Sequence, residues 1–394
     1  GVAKTGAGKT IVVDYGGANV AKPLHVGHLR SAIIGESLKR IYRFFGNHVI
    51  GDIHLGDWGL QMGLIMAQLQ DEKPGLPYFD PDFTGEYPAE APFTISELER
   101  IYPAASARSK EDEAFAARAH EETFRLQHGE RGERALWQHI LRVSVEDLKR
   151  NYDNLGVSFD VWLGESDAQK YIPQMLETVK AKGLCVESEG ALVVPVQEET
   201  DAKEVPPCIL VKSDGATLYA TRDIAAALYR KDTYDFARCL YVVAYQQDLH
   251  FRQWFKVVEL MGYPWAHDLI HVAFGMASGT EGAFSTRKGN MVKLRDVLQA
   301  AIEKTGAIMA EKSPDLPDRD AVARDVGVGA LVWNSLYNGR IKDVVFDWDA
   351  VLNFDGETGP YVQYTHARAC SVLRRAQPEG DVDYAALTDG ESRA

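Results

Sequence analysis

Two histidines, His25 and His28, flank Val26 and Gly27 in the stretch NVAKPLHVGHLRS, residues 19 to 31, with Lys22 and Pro23 just before them. An apolar pattern of helical spacing follows, so the pair sits where a helix is expected to begin. Residues of these types suit an anion. A helix N-terminus offers unpaired amides and a partial positive charge, and together these attract phosphate. Gly27 has no Cβ to hold a phosphate or a ribose away from the backbone. His25 and His28 are one turn apart, so both imidazoles are expected to face one ligand. Lys22 adds a mobile cation, and Pro23 stiffens the approach. A second reading stays open at this point: both histidines could simply be satisfied by capping bonds.

The elements that must position this helix start are legible on either side. TIVVDYGG (10–17) is an apolar, β-branched run ending in glycines and reads as a buried strand. From His28 to Phe45 the residues Leu29, Ile33, Ile34, Leu38, Ile41, Phe44 and Phe45 fall at helical spacing, with Gly46 as the expected cap. NHVIGDIHLGD (47–57) reads as a second strand, its end loaded with Asp52, His54 and Asp57. Strand, loop, helix and strand make one half of a nucleotide-binding α/β fold. Residues 71 to 110, rich in Pro, Gly and acids, are expected to form a surface excursion. Residues 110 to 155 read as a charged, solvated helical insertion. GALVVPV (190–196) and PCILVKSDGATLYAT (207–221) read as strands, the latter turning at Asp214-Gly215. RDIAAALYRK (222–231) reads as a helix, CLYVVAY (239–245) as a buried strand and HFRQWFKVVELMG (250–262) as a helix. After Asn290 the chain is expected to be mostly helical. The fold class is therefore α/β, with two nucleotide-binding halves separated by a long insertion.

Bulk properties exclude several classes. The 394 residues carry a formal charge of −14, which argues against nonspecific coating of DNA. Cys185, Cys208, Cys239 and Cys370 are far apart and form no CxxC pair. They read as thiols in a reducing compartment, with neither a zinc site nor a disulfide frame, so a cytoplasmic location is expected. No apolar run is long enough to span a bilayer, and no signal peptide is visible. The chain starts at Gly1 and stops in LTDGESRA, so both ends are expected to be cut. AKTGAGKT (3–10) fits a loose phosphate-loop pattern, but almost nothing precedes it and a strand follows. A working phosphate loop needs a strand before it and a helix after it, so this stretch reads as a lead-in.

Several motifs in order, GANVAKPLHVGHLRSAIIGE, HLGDWGLQMG, SDGATLYATRDIAAALYR, YVVAYQQDLHFRQ, FSTRKGN and ETGPYVQYTHAR, resemble the arginyl branch of the class I aminoacyl-tRNA synthetases. His25 to His28 stand in the place of that class's HIGH signature. The resemblance covers roughly residues 12 to 375. It implies a Rossmann-like parallel-sheet catalytic domain in two halves (1–70 and 206–300) around a connective α+β insertion (71–205). A helical stem (301–358) and the start of an anticodon-binding helical domain (359–394) then follow. It implies activation of L-arginine by ATP and transfer to the terminal ribose of tRNA(Arg). His25, Gly27, His28 and Lys22 would surround the α-phosphate. Arg287 and Lys288 in FSTRKGN would grip the departing pyrophosphate, although Ala283 and Phe284 stand where the class shows Lys-Met. Met276 would flank the adenine. Mg²⁺ would be carried by the nucleotide rather than by a protein cage. For arginine the resemblance implies Asp14, Asn19, His25, Tyr219, Asp223 and Gln247, with Asp14 standing where the family more often has glutamate. Asp57 and Gln61 would shape the pocket, while Trp58, His54 and His250 read as structural. Tyr361, Tyr364, His366 and Arg368 are candidates for tRNA contact, and packing of their helix is the competing role. A monomer without DNA or membrane partners is expected.

Two rival readings remain on the sequence: a HxGH-type small-molecule nucleotidyltransferase, and a catalytically silent synthetase-like protein that binds tRNA or a partner. The chain is expected to bind ATP and arginine yet to charge tRNA poorly. Steady-state aminoacylation by the 394-residue chain checks this, and normal kinetics would refute it.

Overall fold

A computed structural model of the chain describes residues 3–213, 215–279, 292–353 and 355–377. It divides into two compact units, Gly1–Ala300 with Ser335–Phe346, and Ala301–Asn334 with Asp347–Ala394. In chain order the elements are β1 (Thr10–Asp14), α1 (Val26–Phe44), β2 (His48–Asp52), α2 (Leu60–Glu72), α3 (Ile95–Arg108), α4 (Glu113–His128), α5 (Arg131–Leu155), α6 (Glu165–Ala168) and α7 (Ile172–Ala181). Then come β3 (Val186–Ser188), β4 (Ala191–Val194), β5 (Cys208–Val211), α8 (Tyr219–Tyr234), β6 (Arg238–Tyr241), α9 (Asp248–Leu260), β7 (Leu269–His271) and β8 (Ala277–Gly279). Helices α10 (Leu294–Lys312) and α11 (Arg319–Tyr337), strand β9 (Val344–Phe346), and helices α12 (Trp348–Val351) and α13 (Gly359–Ala376) complete the order.

Four strands form a parallel sheet in the order β2-β1-β6-β7. Parallel strands covered on both faces read as continuous apolar runs, and Ile11, Val12 and Val13 are all buried. Side-chain parity sorts the faces. Val12, Ile50, Cys239 and Tyr241 join Ile224 and Ala227 of α8 and Trp254 of α9 in one core. The opposite face lies under α1, where Gly51 meets Lys39 and Tyr15. Contact there is close: a Cβ on Gly35 would fall 2.2 Å from the Tyr15 ring. The register aligns Asp14 with Asp52 of β2 and Tyr241 of β6 at the carboxyl edge. By parity, Asp14 and Asp52 point to the α8 side.

The expected surface excursion contains a helix. Thr94 and Glu97 cap α3 reciprocally, and α3 buries Leu98, Ile101 and Ala105. The charged insertion is also less solvated than expected, because α2, α3 and α4 share a core of Leu64, Ala67, Ala105, Phe115 and Ala119. Gly63 lets α2 and α4 touch, since its Cβ would lie 2.0 Å from the Ala119 carbonyl. The stretch LYAT, expected to extend a strand, starts α8 instead. Thr221 turns inward and donates to the Leu210 carbonyl at 2.5 Å. Asp214 of the expected turn lies outside the described residues. Cys208 and Cys239 are buried, and burial pushes both thiols up to about 12. Cys185 and Cys370 are partly exposed.

One buried charge in the insertion is uncompensated. Among the described residues, Oε2 of Glu122 on α4 has no hydrogen-bond partner, and the carboxyl faces Glu133 of α5, itself buried and bound to Arg125 at 2.5 Å. Burial first, then Glu133, pushes the Glu122 carboxyl up to about 7, and burial lifts Asp57 to about 6. A carboxyl raised on folding stabilises at low pH, and that contribution is lost as pH rises through the raised value. The melting temperature should therefore fall between about pH 4.5 and 7, and Glu122→Gln should reduce the fall by roughly 2 °C or more. An unchanged slope in the variant would show that Glu122 is not the group responsible.

Candidate active site

Helix α1 starts one residue after His25, and the histidines cap it reciprocally. Nδ1 of His25 accepts from the Gly27 N–H at 3.1 Å, and Nδ1 of His28 accepts from the His25 N–H at 3.1 Å. The ring centroids are 3.9 Å apart. The remaining amides of the first turn are also engaged. Val26 N–H donates to the Val292 carbonyl at 3.0 Å, and His28 N–H to the His25 carbonyl at 2.9 Å. The expectation of free amides is thus corrected: capping histidines and the segment at Val292 satisfy them. What the helix start presents is imidazole. Acceptance at Nδ1 places the proton of each neutral ring on Nε2. Burial, then His25, pushes His28 down to about 3, and burial, then Lys22, lowers His25. The backbone of His25 and Gly17 opposes the fall of His28.

Lys22 is half-buried, its ammonium 4.7 Å from the centroid of the Tyr102 ring. One turn earlier on α3, the carboxylate of Glu99 accepts from Lys293 at 2.6 Å and Arg295 at 3.2 Å. Lys293 is paired by its backbone with His25. One face of α3 therefore holds three cations beside the start of α1. Sequence reading saw Lys22 but missed Lys293 and Arg295. Arg287 and Lys288 lie outside the described residues.

The carboxyl edge of the sheet carries the acidic half. Arg230 of α8 is buried, its Nη2 2.7 Å from both Asp14 Oδ2 and Asp52 Oδ2, its Nε 3.1 Å from Asp52. Its guanidinium also lies 5.4 Å from the Tyr241 ring centroid. Burial pushes the Asp14 carboxyl up, and Arg230 opposes the rise. Arg230 was missed by sequence reading, yet a signal existed. Tyr219, Asp223 and Arg230 are spaced four and seven apart, which puts them on one face of α8.

Because α8 begins at Tyr219, Asp223 sits in its second turn. Its Oδ2 pairs with His250 Nε2 at 2.5 Å. His250 is thus the partner of a candidate ligand residue rather than an unrelated structural group. Tyr219 is 67% exposed, and Gln247 is exposed at the start of α9. Asn19 is bridged to Gly56, which draws the two strand ends together. Gln61 and Asp57 are turned to structural work. Gln61 donates to the Val20 carbonyl. Asp57 accepts from the Ser166 N–H at 3.0 Å and its hydroxyl at 2.6 Å. Trp58 packs edge-on against Trp137. His54 adopts φ 44° two residues past β2, and its Nε2 is buried with no hydrogen-bond partner among the described residues. Met276 holds β9 through its carbonyl and Asp343 through its N–H.

Two further contacts lock the halves. Ser31 of α1 donates to the Val242 carbonyl at 2.7 Å and accepts from Gly16 N–H at 2.9 Å. Arg30, also buried, donates to the Gly275 carbonyl at 2.6 Å and the Lys342 carbonyl at 2.9 Å. The helix start, the end of β1 and the end of β6 therefore form one constellation. On α13, in the other unit, Tyr361, Tyr364, His366 and Arg368 are all exposed. Two surface clefts, about 350 Å³ beside Arg252 and Lys256 and about 330 Å³ beside Tyr171 and Trp265, lie among other residues.

A parallel sheet with an imidazole-bearing helix start at the point where its strand order reverses defines a nucleotide-binding α/β domain. The sequence pattern described as tRNA synthetases class I (R), catalytic domain, matches residues 2–348, and the chain belongs to that family. It is 50% identical over 389 residues to an arginine--tRNA ligase of Agathobacter rectalis, covering 96% of this chain and 65% of that one. It is 50% identical over 376 residues to one of Alkaliphilus oremlandii, covering 94% and 64%. The chain thus spans a little under two thirds of these relatives. Among solved structures, arginyl-tRNA synthetase from Plasmodium falciparum superposes with a TM-score of 0.78 at 25% identity, covering 98% of this chain and 63% of that one. The Thermus thermophilus structure, at 23% identity, shares the fold with the same score, covering 100% and 69%.

His28 should stay neutral through the physiological range. Titration followed by histidine ring-proton NMR should show no inflection for His28 between pH 5 and 8. An inflection near 6.5 would mean that its ring is solvated and not held as described.

Proposed function

We propose that this chain activates L-arginine with ATP and transfers it to the terminal ribose of tRNA(Arg). The observation that carries the reading is the juxtaposition at one sheet edge of neutral Nε2–H donors on α1 with the acidic groups of Asp14 and Asp223. In the first step a carboxylate oxygen of arginine attacks the α-phosphorus, the α–β phosphoanhydride bond breaks, and pyrophosphate leaves. The attacking carboxylate is already ionised, so no general base is needed. The protein's task is to orient two anions and offset their charge. His25 and His28, fixed through Nδ1, suit that task as Nε2–H donors that burial holds below the usual imidazole range. Lys22 can leave the Tyr102 ring and supply a full positive charge. Arg287 and Lys288 are proposed to hold the pyrophosphate, Gly27 to border the phosphate and Met276 the adenine. Mg²⁺, bound to the nucleotide's own phosphates, would add further neutralisation. In the second step a ribose hydroxyl attacks the acyl carbon and AMP departs.

Arginine would lie across the acidic edge, its guanidinium towards Asp223, with Tyr219 and Gln247 beside it. Half-buried carboxylates left without a matched guanidinium would penalise lysine, by up to about 1–3 kcal/mol per group. Asn19, Asp57 and Gln61 shape the wall through the bonds described above. Residues 71–205 serve as the connective insertion, and Tyr361, Tyr364 and Arg368 are proposed contacts for tRNA, where exposed aromatic and guanidinium planes suit unpaired bases.

Exchange of labelled pyrophosphate into ATP, with tRNA(Arg) present, tests the reading. Exchange should depend on arginine, be at least about tenfold weaker with lysine, and fall by about a hundredfold or more in His28→Ala. Exchange driven by another amino acid would overturn the arginine assignment. Full activity in His28→Ala would overturn the site.

A further inference from the structure

Within the acidic edge the hydrogen bonds are unevenly divided. Asp52 is fully engaged: Oδ2 takes Nε and Nη2 of Arg230, and Oδ1 takes the His54 N–H at 3.1 Å. Asp14 gives only Oδ2 to Arg230. Among the described residues no donor bonds Asp14 Oδ1. Exposure follows the same division, at 13% for the Asp14 side chain, 2% for Asp52 and 1% for Arg230. Two carboxylates and one guanidinium leave one net negative charge, and the geometry concentrates it on one accessible oxygen. A single oxygen forgoes the parallel two-oxygen fork by which a carboxylate best matches a guanidinium. It can receive an ammonium.

We propose that Arg230 is a positioning residue of the amino-acid subsite, holding Asp14 so that Oδ1 alone accepts the α-ammonium of the substrate. The proposal rests on the reading of this site as arginine-activating. The register of β1 and β2 sets two aspartates side by side, and the strand ends alone cannot keep both ionised out of water. Arg230 makes the pair tolerable and ties down the oxygen that would otherwise compete for the substrate's guanidinium. Asp14 then reads one end of arginine while Asp223, paired with His250, is left for the other. The buried guanidinium also fixes the Asp14 rotamer, since Nη2 bridges the two carboxylates while its carbon lies 5.4 Å from the Tyr241 ring centroid.

Calorimetric titration of L-arginine, Nα-acetyl-L-arginine and ATP into the full chain tests this. Wild type should bind arginine and discriminate strongly against the acetylated form, which lacks the ammonium. Arg230→Met should weaken arginine by at least about tenfold, the loss expected for one charged hydrogen bond, abolish the discrimination, and leave ATP binding unchanged. Arg230→Lys should retain part of the arginine affinity, and low-millimolar guanidinium ion should restore it to Arg230→Ala. If Arg230→Met does not fold, these last two measurements decide. Unchanged discrimination in a folded variant, or equal weakening of ATP and arginine, would overturn the positioning role. Failure of wild type to bind arginine would overturn the functional reading itself.

Discussion

Register alignment of Asp14 with Asp52 at the carboxyl edge of the sheet is the constraint on which the site depends. Parallel pairing makes them neighbours on one face, and burial makes their joint ionisation costly. The fold answers with Arg230, delivered by α8 from 216 residues along the chain for the Asp14 bond. That ion triad fixes where α8 lies against β1. It therefore also fixes Tyr219 and Asp223, which share a face with Arg230. A salt bridge of this kind adds little net stability after desolvation, but it leaves only one arrangement of the three elements satisfied.

The neighbouring half of the site follows the opposite electrostatic strategy. At the start of α1 the positive end of the helix is joined by two imidazoles that are kept neutral. Neutral donors orient an anion without the desolvation cost of two buried cations. Full positive charges are kept at a distance: Lys22 on the Tyr102 ring, Lys293 and Arg295 on Glu99. All three are held by one face of α3. Helix α3 is thereby tied through charge to the start of α1.

Local patterns carried much of this fold. Thr10–Asp14, His48–Asp52 and Arg238–Tyr241 are short β-branched or apolar runs with few alternatives, and α1 was marked by its apolar spacing and Gly46. Where reading failed, a tertiary contact outweighed a local pattern. Polar residues around Ile95 concealed a helix whose three apolar positions matter only because α2 is beside them. LYAT looked like a strand until Thr221 found the Leu210 carbonyl.

The chemistry divides in the same way. Residue types and spacing alone determined that an imidazole pair opens a helix after a buried strand, and that carboxylates end the first two strands, because capping and periodicity are local properties. The amides' occupation by Nδ1 atoms, the pairing of Asp223 with His250, and the capture of Asp14 by Arg230 were decided only by tertiary structure. Each joins groups distant in the chain or depends on a side-chain rotamer, and no local preference encodes which of several possible partners comes within 3 Å.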